Sequence, residues 1–124
     1  HGQVIADPVL LQRAVSNLLA NAIRFSPPGA AVEISTRIVD RRVEIRIADH
    51  GPGVPVDRRD EIFTPFQRLG DTDNTTGLGL GLALSRGFVE AMHGTLEAES
   101  TPGGGLTMAV ALPSTVHIEE GEPT

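Results

Sequence analysis

The amino-acid sequence predicts an α+β two-layer sandwich, in which helices cover one face of a mixed β-sheet. The periodic segments occur in the order helix, hairpin, helix, loop, helix, hairpin. The length of 124 residues favours one domain with its own hydrophobic core. Strands do not alternate singly with helices, which disfavours a Rossmann fold despite the many glycines.

The first helix is predicted to begin at Asp7 and to end near residue 25. Asp is a favourable N-cap, and Pro8 suits the first helical position. Pro27, Pro28 and Gly29 then end the helix. Between these signals the apolar residues recur at helical spacing, at Leu11, Val15, Leu18, Ala22 and Phe25.

Two hairpins are predicted from alternating apolar and polar residues. Residues 32–38 and 43–47 form the first, each as a half-buried strand, and residues 95–99 and 106–112 form the second. Gly103, Gly104 and Gly105 are interpreted as the turn of the second hairpin rather than as a phosphate site.

The remaining segments are two helices, a loop and a tail. A short helix is predicted near residues 58–63 and a longer one over about 81–92, which His93 and Gly94 end. The polar residues 67–77 are predicted to form a mobile loop. Residues 1–113 would then be one domain, followed by a disordered acidic tail at 114–124.

Composition excludes several kinds of chemistry. The chain has 16 acidic residues, ten arginines, no lysine and no cysteine, and its net charge is −6. These absences exclude a Walker-type lysine, a Schiff base and thiolate catalysis within the chain. The negative charge argues against nucleic acid as a partner, and no apolar stretch is long enough to span a membrane.

Polar residues cluster on one face of the first helix, at Asn17, Asn21 and Arg24, beside Phe25. An amide oxygen can ligate Mg²⁺, and a guanidinium can hold a phosphate. A solvated polar face explains the same residues equally well.

Three further segments contain residues suited to ligand binding. Asp49 follows a strand, where its carboxylate could accept a hydrogen bond from an adenine amine, although residues 49–53 also suit an ordinary turn. Residues 77–82 form a glycine-rich entry to a helix, which can bind anions or anchor the preceding loop in the core. Residues 63–66 could form the hinge of a lid, and at least one of the rings of Phe63 and Phe66 is expected in the core.

Together and in this order, these segments resemble the ATP-binding catalytic domain of bacterial sensor histidine kinases, whose superfamily includes gyrase, Hsp90 and MutL. Residues 17–25 resemble its asparagine box, 49–53 its first glycine box, 63–66 its phenylalanine box and 77–82 its second glycine box. The resemblance covers about residues 6–113 and implies a Bergerat-type ATP-binding fold.

The resemblance also implies ATP and Mg²⁺ as ligands. Asn21 would ligate Mg²⁺, with Asn17 supporting the metal and phosphate region and Arg24 contacting phosphate. Phe25 would line the adenine pocket and Asp49 would accept from the adenine amine, while residues 67–76 would form a lid. The other nucleotide-binding residues it implies are Gly51, Gly53, Phe66, Gly77, Leu78, Gly79, Leu80, Gly81 and Leu82.

Asn17 indicates which type of reaction to expect. The ATP-hydrolysing members of the superfamily resemble one another in having a glutamate base at the position that Asn17 occupies in this chain. A neutral amide cannot take a proton from water, so transfer to a supplied nucleophile is expected. The resemblance implies that this nucleophile is a histidine of the kinase's own dimerisation and phosphoacceptor domain. An ATP-hydrolysing member of the superfamily and a non-catalytic nucleotide-binding module remain the alternatives.

A finer resemblance is to the potassium-responsive sensor kinases of actinobacteria. It rests on residues 66–74, 87–92 and 101–108. It implies a response regulator as a further partner, and a cytoplasmic position in a sensor whose membrane attachment comes from other segments. The isolated domain is expected to be a monomer.

Overall fold

A computed structural model describes residues 7–64 and 81–114. It confirms the predicted order of elements and the α+β architecture. The elements are α1 (Pro8–Phe25), β1 (Glu33–Val39), β2 (Arg42–Ala48), a 3₁₀ helix (Val56–Phe63), α2 (Gly81–Ala91), β3 (Thr95–Ser100) and β4 (Leu106–Pro113). The loop predicted at 67–77, the candidate residues Phe66, Gly77, Leu78, Gly79 and Leu80, and residues 115–124 of the tail lie outside the described residues.

The helix α1 has the predicted start and end. The Asp7 carboxylate accepts hydrogen bonds from the backbone N–H groups of Val9 at 2.9 Å and Leu10 at 3.2 Å. The backbone N–H of Ser26 closes the last turn on the carbonyl of Ala22. Neither α1 nor α2 is long and apolar enough to cross a membrane, and no other helix among the described residues is.

The four described strands form one sheet in the order β1-β2-β4-β3, and all three pairings are antiparallel. The sequence predicts a mixed sheet, and for these strands that detail is wrong. The two strands of a hairpin are necessarily antiparallel. The two hairpins pair with each other through β2 and β4, and these strands also run in opposite directions. In this register Ile47 lies opposite Met108, and both are buried.

The hydrophobic core lies between this sheet and the two helices. Ser85 of α2 is fully buried, and its hydroxyl donates to the carbonyl of Gly81 at 2.9 Å and lies 3.5 Å from that of Ala14 in α1. The largest fully buried side chains are those of Leu18, Ile47, Leu96, Leu112, Val89 and Val110.

The strand β1 is exposed along its whole length, whereas the sequence predicts that one of its faces is buried. Ile34 and Ile38 point to the same side of the sheet as the core, yet they are 54% and 50% exposed. The reason is that β1 lies at the edge of the sheet, while α1 packs over β2 and α2 packs over β3. Alternation predicts which residues share a face of a strand, but it cannot predict whether a helix covers that face.

Charged residues form a ladder on the solvent face of the sheet. Glu44 accepts from Arg37 at 2.6 Å and from Arg46 at 3.1 Å, and Arg46 also bonds Glu99 at 2.6 Å. Burial raises the pKa of Glu44, but the hydrogen bonds from the two arginines outweigh burial and lower that pKa below 4.5. The ladder therefore joins β1, β2 and β3 through side chains.

Candidate functional site

The two asparagines of α1 are half-buried, one turn apart on the same face of the helix. Asn17 lines a surface groove of about 490 Å³ together with Leu84 and Phe88 of α2. The side-chain amides of Asn17 and Asn21 form no hydrogen bond with any other described residue. Both amides are therefore available to a ligand, which a purely structural role in the helix would not require.

The donor set near these amides suits Mg²⁺ held mainly by a nucleotide. Residues 7–64 and 81–114 contain no cluster of three or more histidine or acidic side chains that could hold a metal alone. Mg²⁺ commonly takes only one or two protein oxygens and completes its shell with phosphate oxygens and water. The amide oxygen of Asn21 fits such a role, because it is neutral and has no competing hydrogen-bond partner among the described residues.

The last turn of α1 places Arg24 and Phe25 side by side. The guanidinium carbon of Arg24 lies 5.0 Å from the centre of the Phe25 ring, within the range of a cation–π contact. Both residues are half-buried. The structure thus brings the residue predicted to contact phosphate against the ring predicted to line the adenine pocket.

Asp49 is a buried carboxylate, 4% exposed, at the end of β2. Its Oδ1 accepts from the backbone N–H of Gly51 at 2.9 Å and from that of Leu106 at 3.0 Å. Both hydrogen bonds that the described part of the protein gives this carboxylate go to Oδ1. The orientation of the group is therefore fixed, and Oδ2 remains to accept from a ligand.

Gly51 joins the turn after β2 to the end of α1. A Cβ built on Gly51 would lie 3.1 Å from the backbone carbonyl carbon of Phe25 and would overlap its oxygen. Gly53 has a φ of +74° and packs against Gly105. The protein's own backbone thus accounts for glycine at both positions, whereas the resemblance attributes these glycines to the approach of the purine.

The start of α2 contains the described part of the second glycine-rich motif. Gly81 is exposed and begins the helix, and Leu82 packs partly against the core. A Cβ on Gly81 would meet no atom within 4 Å. Steric crowding by the described residues therefore does not explain glycine at position 81.

Phe63 and Arg86 form a structural contact beside the site. Phe63 is buried, as expected for at least one ring of its motif. The guanidinium carbon of Arg86 lies 4.0 Å from the centre of that ring, and its Nη2 donates to the carbonyl of Leu96 at 3.1 Å. Arg86 therefore ties α2 to the 3₁₀ helix and to β3.

Sequence reasoning missed the contribution of the second hairpin to the site. Gly105 and Leu106 lie directly against Asp49, although 56 positions separate Gly105 from it in the chain. The three consecutive glycines, 103–105, are the only sequence feature that points to a role of this hairpin in the site, and we interpret them as its turn. They do form the turn between β3 and β4, and they also abut the candidate site.

Comparison with known families identifies the fold. Residues 6–116 match the family described as "Histidine kinase-, DNA gyrase B-, and HSP90-like ATPase". The chain belongs to this family. The relatives and structural neighbours described below carry the names of sensor proteins and histidine kinases, so within this family the chain is a histidine kinase ATP-binding catalytic domain.

Two similar relatives of this histidine kinase domain are sensor proteins named KdpD. The one from Rathayibacter rathayi is 65% identical over 112 residues, which are 90% of this chain and 13% of that protein. The one from Mycobacterium tuberculosis is 51% identical over 108 residues, 87% of this chain and 12% of that protein. The chain therefore spans only about an eighth of the length of these relatives.

Solved structures resemble this histidine kinase domain closely. The mycobacterial sensor histidine kinase MprB aligns with a TM-score of 0.82 and 35% identity, covering 91% of this chain and 78% of that one. Full-length ShkA in complex with AMPPNP aligns with a TM-score of 0.77 and 30% identity, covering 92% of this chain and 23% of that one. An ATP analogue is thus the ligand of one structural neighbour.

Proposed function

We propose that this domain binds MgATP and donates the γ-phosphoryl group to a histidine on a separate dimerisation and phosphoacceptor domain. The observation that carries the proposal is the contact between Gly51 and the backbone of Phe25. This contact joins the helix end bearing Asn21 and Arg24 to the turn bearing Asp49. This proximity supports the proposal that the residues suited to metal, phosphate and adenine act as one site.

The proposed roles follow from the chemistry of each side chain. The Asn21 amide oxygen would hold Mg²⁺ with support from Asn17, and Arg24 would hold a phosphate. Asp49 would accept from the adenine amine through Oδ2, while its Oδ1 stays bonded to the backbone. When bound, Mg²⁺ neutralises charge on the phosphates during transfer.

The remaining nucleotide contacts are proposed from the glycine-rich motif and the phenylalanine box. Gly81 and Leu82 at the start of α2 are its described members. Backbone N–H groups at such a helix entry can bind phosphate. The other members of this proposal are Phe66, Gly77, Leu78, Gly79 and Leu80.

The reaction requires positioning rather than a base on this domain. An imidazole nitrogen of the acceptor attacks the γ-phosphorus, so that a P–N bond forms as the P–O bond to the β-phosphate breaks and ADP leaves with the electron pair. Because Asn17 carries a neutral amide, attack by water is not assisted there. We therefore expect slow hydrolysis and efficient transfer.

The partners and the stimulus are proposed from the relatives. Two relatives carry the name KdpD, which supports a potassium-responsive system with its own response regulator. Since ATP is the donor, we propose that the domain works in the cytoplasm, within a sensor that other segments anchor to the membrane.

Phosphotransfer to an isolated acceptor domain tests the proposal. The chain would be mixed with the acceptor domain of the Rathayibacter rathayi KdpD and with radiolabelled ATP. We expect acid-labile phosphate on a histidine of the acceptor. Rapid ATP hydrolysis with no labelled acceptor would contradict the proposal and favour an ATPase.

A matched pair of variants tests the metal site. Asn21→Ala should abolish Mg²⁺-dependent binding of ATP in calorimetry, because it removes the proposed metal ligand. Ile23→Ala truncates a side chain of the same helix that is 65% exposed and lies outside the groove lined by Asn17, so this variant should bind ATP like the wild type. Unchanged affinity in Asn21→Ala would contradict the assignment of the metal ligand.

A further inference from the structure

We propose that Gly105 is a positioning residue for the carboxylate of Asp49, which accepts a hydrogen bond from adenine. The turn between β3 and β4 would then set the preference for adenine over guanine. The proposal rests on the proposed function of Asp49. It extends the site to a hairpin that contains none of the residues predicted to bind nucleotide.

The first observation is the absence of space at Gly105. A Cβ built there would lie 2.8 Å from the carbonyl carbon of Asp49 and 2.9 Å from the Cα of His50, and it would overlap the Asp49 oxygen. All three atoms belong to the backbone, so no side-chain rotation can relieve the overlap. Any larger residue must therefore displace the backbone of Asp49 or that of the turn.

The second observation is a reciprocal pair of hydrogen bonds between Asp49 and the residue after Gly105. The backbone N–H of Asp49 donates to the carbonyl of Leu106 at 2.9 Å, and the N–H of Leu106 donates to Oδ1 of Asp49 at 3.0 Å. One neighbour thus holds both the backbone and the carboxylate of Asp49. A displacement at Gly105 must change the direction of the carboxylate.

The direction of this carboxylate decides which base it accepts. Adenine presents an exocyclic amine, which donates to a carboxylate, whereas guanine presents a carbonyl oxygen at the corresponding position. Two acceptors facing each other repel, so a correctly aimed Asp49 both favours adenine and disfavours guanine. A misdirected carboxylate loses both effects. The ADP-to-GDP affinity ratio should therefore change by a larger factor than the affinity for either nucleotide alone.

The chain offers a closely matched control in Gly104. Gly104 and Gly105 share a φ of +117°, in the region that disfavours any side chain. A Cβ on Gly104 would meet nothing within 4 Å, whereas one on Gly105 would strike Asp49. Gly104→Ala and Gly105→Ala therefore both place a side chain at the same unfavourable φ and differ in their contact with Asp49.

The experiment measures the affinities of the whole 124-residue chain for ADP and GDP by calorimetry. We expect the ADP-to-GDP affinity ratio of Gly104→Ala to stay within about twofold of the wild type. In Gly105→Ala the ratio should fall by about tenfold, the size of effect expected when a hydrogen bond to a charged group is lost. In an Asp49→Ala background, Gly105→Ala should lower the ratio no further, because its effect passes through Asp49.

An unchanged ratio in Gly105→Ala would overturn the positioning role, while ADP binding by the wild type would leave the proposed function intact. Failure of the wild type to bind ADP would instead overturn the proposed function and this inference together. If Gly105→Ala does not fold, replacing the amide between Gly105 and Leu106 by an ester removes the N–H donor to Asp49 without adding a side chain. That ester should lower the ratio too, and an unchanged ratio there would also overturn the inference.

Discussion

The contact between Gly51 and α1 predicts the outcome of a single methyl substitution. In Gly51→Ala the new Cβ would lie 3.1 Å from the Phe25 carbonyl carbon, would overlap its oxygen and would lie 3.4 Å from Oδ1 of Asp49. The end of α1 and the turn after β2 must therefore separate. Because both partners are backbone, neither can rotate away.

The expected cost follows from this geometry. Inserting a methyl group into a well-packed site costs about 1–3 kcal/mol, and rigid neighbours favour the upper half of that range. In a domain of this size, a loss of about 2.5 kcal/mol lowers Tm by about 10 °C. The Gly51 N–H also donates to Asp49, so we expect ADP affinity to fall together with stability.

Thermal and urea unfolding followed by circular dichroism would measure this cost. Gly87→Ala is the control, since Gly87 is exposed in the interior of α2 and a Cβ there would meet nothing within 4 Å. That substitution should stabilise the protein by about 0.5–1 kcal/mol, because glycine is unfavourable within a helix. A Gly51→Ala protein that melts within about 2 °C of the wild type would refute the packing argument.

Three other substitutions have distinct expected outcomes. Asp49→Ala should lower the preference for ADP over GDP by about tenfold in competition binding, and retained discrimination would argue against a role in reading adenine. Arg86→Ala should cost about 1–2 kcal/mol in urea unfolding through the lost contacts to Phe63 and Leu96, with ADP affinity unchanged, whereas a large loss of affinity would indicate a phosphate contact instead. Glu44→Gln should destabilise the protein at neutral pH by about 1 kcal/mol. Because the folded pKa of Glu44 is below 4.5, the stability it contributes is present above that value and is lost as the pH falls through the folded pKa. The difference between Glu44→Gln and the wild type should therefore narrow as the pH falls below 4.5, and a constant difference would contradict the ion-pair explanation.

Local signals in the sequence were enough to predict the elements. Asp7 and Pro8 fix the start of α1 because capping involves only neighbouring residues. The first hairpin turns at Asp40 and Arg41, which both have positive φ, as a tight two-residue turn requires. The periodicity of apolar residues could not predict that β1 is exposed, because its burial depends on where helices distant in the sequence pack.

The sequence by itself determined the identity of the candidate site residues. Asn17, Asn21, Arg24 and Asp49 were each singled out from residue type, spacing and neighbours, and the structure places them on the predicted helix and strand end. Their chemistry is a property of the side chains, so it can be read before any fold is known. Their proposed roles in binding ATP remain predictions.

Only the tertiary structure decided how these residues are held. Gly51 against Phe25, and Gly105 with Leu106 against Asp49, are contacts between segments that are distant in the chain. No local pattern encodes them, because a glycine suited to a turn and a glycine required by a neighbouring backbone look alike in sequence. The fold distinguishes them, since only close packing of two backbones makes the absence of a side chain necessary.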